Sequence, residues 1–133
     1  MTTKRAFEHQ GMRLSVPLSW SVDDSGSELT LRRPDHGGAI TISTYRHHDP
    51  SFAVDALDQC LRFLASRAHG DVPVRGSASR ATAEFTDTDG IRWNVTVVAS
   101  GNRFALATYN SDAPDAQEER EAHDILNGLT LDG

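Results

Sequence analysis

His47-His48-Asp49 is the one cluster in this 133-residue chain whose residue types suit a metal ion. A metal site needs three or four donors converging on one point, and neighbours on an extended strand face opposite ways. The segment therefore reads as a loop rim ahead of a helix cap, and no metal ligand is assigned. Cys60 is the only cysteine. It falls on the apolar stripe of a helical segment, where cysteine acts as a small hydrophobe, whereas a reactive thiolate needs an accessible electropositive setting. No Gly-x-Ser-x-Gly elbow occurs, and Gly37-Gly38 is not followed by the Gly-Lys-Ser/Thr of a phosphate loop. Asp23/Asp24 and Asp87/Asp89 lie at turns, where aspartate bonds its own backbone. No catalytic residue and no cofactor are assigned, and the chain reads as a non-enzyme.

Arg32-Arg33, with Arg13 and Arg46 on neighbouring strands, form a candidate basic patch. Glu28 and Asp35 dilute it, and no aromatic residues interleave with it as base stacking would require. With Lys+Arg 13 against Asp+Glu 19 the net charge is −6, which opposes nonspecific nucleic-acid binding. The acidity is uneven: residues 1–80 balance at +1 and residues 81–133 at −7. Asp112, Asp115, Glu118, Glu119, Glu121 and Asp124 supply much of it. They fit a solvated helix face with acids near its N-terminus, where the macrodipole favours them.

These residues must be positioned by some fold, and the length fits one domain, residues 1–133. A lone cysteine excludes an internal disulfide and suits a reducing compartment. No apolar run approaches the roughly 20 residues of a membrane span. The opening residues carry no apolar export region, so a cytoplasmic location is expected.

The first half alternates. Met12, Leu14 and Val16 give one strand, stopped by Pro17 and resumed by Leu18, Trp20 and Val22. Leu29–Arg32 and Ala39–Tyr45 read as a strand pair and as candidate sheet edges. Asp49 and Pro50 then look like a helix cap and first turn. Ala53, Leu57, Cys60, Leu61, Leu64 and Ala68 line one helical face, and Gly70 is the expected stop.

Residues 79–110 predict a three-stranded meander. A three-residue loop with Gly90 left-handed sets Phe85 opposite Trp93 and Ala83 opposite Val95. A tight Gly101-Asn102 hairpin sets Ala99 opposite Phe104 and Val97 opposite Leu106. The face bearing Ala81, Ala83, Phe85, Ile91, Trp93, Val95, Val97, Ala99, Phe104 and Leu106 is expected to be core. The other face, with Asn94, Thr96, Val98, Ala105, Ala107 and Tyr109, is mixed. It reads as solvent-facing sheet, as sheet lightly covered by a helix, or as a partner surface. A last helix carries the stripe Ala122, Ile125, Leu126 and Leu129 and ends at Gly128. The order predicts an α+β fold: a mainly antiparallel sheet of about six strands flanked by two main helices.

Gly11-Met12-Arg13-Leu14-Ser15-Val16-Pro17-Leu18-Ser19-Trp20 resembles the opening of PsbP/Mog-like (DcrB-type) domains, a strand ending in Pro with Trp shortly after. Ile125-Leu126-Asn127-Gly128-Leu129 resembles their closing segment. The resemblance implies a central antiparallel sheet flanked by helices, with Trp20 in the core. It brings no common catalytic set. Members include photosystem-associated lumenal proteins, a Ran-binding protein, lipoproteins, and cytoplasmic chaperones that load type VI secretion effectors. The expectation is a cytoplasmic protein-interaction module, an adaptor or chaperone, with a homodimer compatible and with Asn94, Thr96, Val98, Ala105, Ala107 and Tyr109 as candidate partner surface. The alternative is a small-molecule-binding protein or minor enzyme with a cavity beside the meander alanines.

Overall fold

The computed structural model describes residues 4–34, 37–112 and 115–132. Asp35, His36 and Pro114 lie outside the described residues. The elements run β1 (Lys4–His9), β2 (Met12–Pro17), β3 (Ser21–Asp23), β4 (Leu29–Arg32), β5 (Ala39–Arg46), α1 (Ala56–Ser66), β6 (Arg75–Gly76), β7 (Arg80–Thr86), β8 (Arg92–Ser100), β9 (Arg103–Ser111), α2 (Ala116–Asn127) and β10 (Thr130–Leu131). The fold is α+β, as expected. Among the described residues the strands number ten rather than about six, and form two antiparallel sheets, β3-β4-β5-β9-β8-β7-β6 and β1-β2-β10. The additional strands are short or, like β1, mostly exposed, so they carry little apolar alternation to announce them.

The turns of the meander set its register. Gly90 (φ 79°) and Gly101 (φ 60°) are left-handed. Phe85 pairs with Trp93 and Ala83 with Val95, while Ala99 pairs with Phe104 and Val97 with Leu106. β4 and β5 are interior strands, not edges; β3 and β6 close the large sheet.

Because β-strand side chains alternate, the large sheet has two different faces. On one, Leu29, Leu31, Ile40, Ile42, Val98, Ala105, Ala107 and Tyr109 meet Met12, Leu14 and Val16 of β2 and Ala122, Ile125 and Leu126 of α2. Trp20 is 1% exposed in this main core. Arg80 ties the layers together by donating to the Leu126 carbonyl at 3.0 Å and to the Leu129 carbonyl. Arg103 does the same at the other end, donating to Gln10 O and, at 3.1 Å, to Asp132 O.

On the other face α1 covers β7 and β8 and makes a smaller core of Ala56, Cys60, Leu64, Ala81, Ala83, Val95 and Val97. The helix begins six residues later than Asp49-Pro50 predicts. Asp49 caps only a local turn, its Oδ1 accepting from Ser51 N at 2.9 Å. Val54 N donates to Gly101 O and Ala56 N to Ala78 O, which holds the segment extended against the sheet. Asp55 is the true cap, accepting from Leu57 N and Asp58 N. Within the expected stripe only Cys60 and Leu64 are buried; Ala53 and Ala68 are exposed, and Leu61 is 47% exposed. The helix stops before Gly70: Ala68 takes the left-handed turn (φ 63°) and His69 N caps Leu64 O at 2.8 Å. α2 is capped by Asp115 and ends at Gly128.

Candidate functional site

The predicted partner surface is interior. Asn94, Thr96, Val98, Ala105, Ala107 and Tyr109 are all buried, Asn94 the most exposed at 9%. Their small side chains let β2 and α2 approach the sheet closely, and alternation alone does not say which face is covered. The two polar members find partners: Asn94 Nδ2 donates to Glu84 Oε1 at 3.1 Å, and Thr96 Oγ1 donates to Asn94 Oδ1 at 3.3 Å. Burial, then the nearby Glu118 carboxylate, push the Tyr109 hydroxyl up to about 12. The alanines that suggested a cavity are packed: Ala81 and Ala83 under α1, Ala105 and Ala107 in the main core.

The open surface is instead the other side of the same strands. α1 makes its main contacts with β7 and β8, and Phe104 and Leu106 of β9 pack partly buried against its core; β4, β5 and the Thr108–Asn110 end of β9 have no helix over this face among the described residues. The outward residues pair in rows across the sheet. Ser43 lies opposite Leu106, Thr41 opposite Thr108, Ala39 opposite Asn110, and Tyr45 opposite Phe104. None of these is buried. The Tyr45 and Phe104 rings stack at 4.9 Å, and Tyr45 is 47% exposed.

Against this floor α1 forms a wall. A groove of about 280 Å³ runs between them, lined on the wall side by Phe63, Arg67 and Trp93 and at the far rim by Glu28. Phe63 and Arg67 are four apart, so they share a flank of the helix end. The Arg67 guanidinium lies 4.8 Å from the Phe63 ring centroid and 5.4 Å from that of Trp93. Trp93 is itself held. Its Nε1 donates to Asp87 Oδ2 at 3.0 Å, its ring stacks on Phe85 at 5.9 Å, and Phe85 meets His69 at 4.3 Å. The indole hydrogen bond is the largest cause holding the Asp87 carboxyl below the usual range. Glu28 Oε2 accepts from Ser43 Oγ at 3.1 Å. Trp93 thus lies on the predicted face but half-buried at its margin, as a wall rather than a core anchor.

The other candidates are not brought together. His47 stacks between His48 (4.3 Å) and Phe52 (4.0 Å), its Nδ1 accepting from Asp49 N. Cys60 is buried, and desolvation pushes its thiol up to about 11. The basic patch disperses: Arg13 pairs with Glu8 and Asp132, Arg33 with Glu121, and Arg46 lines a separate recess beside Arg103. Sequence reasoning missed Phe63 and Arg67. Their four-residue spacing was visible, but the groove depends on α1 covering only two strands.

No family model matches the chain, and no curated protein matches it. Solved structures do. A crystal structure from Bacteroides thetaiotaomicron VPI-5482 superposes with a TM-score of 0.68 at 19% identity, covering 100% of this chain and 50% of that one. The likeness is one of fold, and the chain spans about half the length of that protein.

Proposed function

We propose that the chain is a non-enzymatic protein-interaction module that receives an apolar segment of a partner on the open face of β4, β5 and β9 beside α1. The observation that carries this reading is a sheet face over β4, β5 and the Thr108–Asn110 end of β9 with no helix over it among the described residues, edged by α1, by exposed Tyr45, and by Phe104 and Leu106, which are partly buried against the α1 core. A face of this kind with apolar and aromatic residues fits binding. The resemblance of the opening and closing segments to PsbP/Mog-like domains supports an adaptor or chaperone role in the cytoplasm, of the effector-loading type. No helix among the described residues is long and apolar enough to cross a membrane.

Site-specific photo-crosslinking tests this. A photoreactive side chain at Thr108, on the groove floor, should capture a partner in native extract. The same group at exposed Asp24 should not. Equal capture at both positions, or none at Thr108, would refute the reading.

A further inference from the structure

We infer that the docking segment is a helix carrying an acidic side chain beside its apolar face, and that Arg67 takes that carboxylate. This rests on the docking reading above and adds the conformation and charge of the occupant.

The helical form follows from the backbone. β5 and β9 are interior strands, so their N–H and C=O groups are already committed to sheet neighbours. A strand lying across β5 and β9 would find no free edge there to pair with, and its own polar backbone would gain no sheet partners on that face. A helix satisfies its backbone internally. The space suits one: three strands about 4.8 Å apart span roughly 10 Å, close to a helix diameter of about 10–12 Å. Such a helix would lie beside α1 and complete a layer that α1 begins.

The charge follows from Arg67. Its guanidinium rests on Phe63 and Trp93, which orients the planar fork and leaves its in-plane N–H groups free for a bidentate acceptor. No carboxylate among the described residues pairs with it. Arg62, on the same helix, is tied to Asp58 at 2.8 Å. The one acid lining the groove, Glu28, is at the far rim and accepts from Ser43. The groove therefore carries Arg67 on the α1 side and Glu28 at its far rim, while exposed Arg32 of β4 lies further along the same sheet face, opposite Ala39. An acidic residue is favoured beside Arg67, on the α1 side of the docked helix.

The test is a randomised display library of helix-forming peptides panned on the full chain. Recovered sequences should combine an apolar stripe with one Glu or Asp at a fixed place beside it. Replacing that acid by its amide should weaken binding roughly tenfold to a hundredfold, the size of a charge-assisted hydrogen bond. Arg67→Gln should weaken binding as much, and the two changes together should cost no more than either alone. Arg67→Lys, which keeps the charge but not the fork, should retain part of the affinity and serves as the test if Arg67→Gln does not fold. Apolar helices without acidic preference, binding Arg67→Gln or Arg67→Lys as tightly as wild type, would overturn the Arg67 inference and leave docking intact. Enrichment of extended acidic peptides would overturn the helix. Binders indifferent to Thr108→Arg, or no binders, would overturn docking itself.

Discussion

The Trp93 indole Nε1 donates to Asp87 Oδ2 across 3.0 Å and so pins the groove wall to the β7–β8 turn. Asp87 Oδ1 also accepts from Asp89 N at 2.9 Å and Ile91 N at 3.0 Å, so one carboxylate organises both the turn and the ring. These bonds stabilise the charged form, led by the indole, and the folded-state pKa is lowered. The unfolded chain then binds the proton more readily, with a pKa of about 3.9. The stabilisation is complete above that value and is lost as pH falls through the lower folded value. Asp87→Ala should lower the urea midpoint at neutral pH, and the gap from wild type should narrow below about pH 4. A gap that stays constant into strong acid would contradict this.

The two tryptophans should differ in unfolding experiments. Trp20 is fully enclosed in the main core, so Trp20→Ala should cost about 3–5 kcal/mol. Trp93 is half-buried at the groove, and Trp93→Ala should cost less, about 1–2 kcal/mol. Equal losses would show that Trp93 is a core residue after all.

Asn94 reverses the expectation for an open-face residue. It is buried and bonded to Glu84 and Thr96, with His123 Nε2 at 3.3 Å from its amide nitrogen. Asn94→Ala removes these bonds and should destabilise by about 1–2 kcal/mol in urea titration. A loss within experimental error would mean the side chain is solvated.

Leu64 and Leu61 test the facing of α1. Leu64→Ala should cost about 2–5 kcal/mol, since the side chain is buried against the sheet. Leu61→Ala should change stability by less than about 0.5 kcal/mol.

Cys60 should resist alkylation in the folded state at mildly alkaline pH, because its thiol is buried and pushed up to about 11. Labelling should appear only in denaturant. Rapid labelling of the folded protein would place the thiol at the surface.

What was legible in the sequence was local. Asp87 to Gly90 and Gly101-Asn102 are turn chemistries that fix loop length, and loop length fixed every pairing in the meander. Gly128 stopped α2 for the same kind of reason. Asp49-Pro50 misled because its Asx turn is the same local chemistry as a helix cap; the difference lies in distant bonds from Val54 and Ala56 to the sheet. The open face was misassigned because alternation separates two faces without saying which is covered. Ala105 and Ala107 look like surface filler until β2 and α2 are packed on them. Thr41 and Thr108 look like ordinary strand residues until α1 is seen to stop short of them.

The most direct measurement is an amide NMR map of the protein titrated with the partner segment captured at Thr108. Shifts should concentrate on Thr41, Ser43, Leu106, Thr108 and Arg67, with the Trp93 indole proton moving too. Shifts centred on the exposed edge of β1 or on the acidic surface of α2, with these residues unmoved, would contradict the docking face.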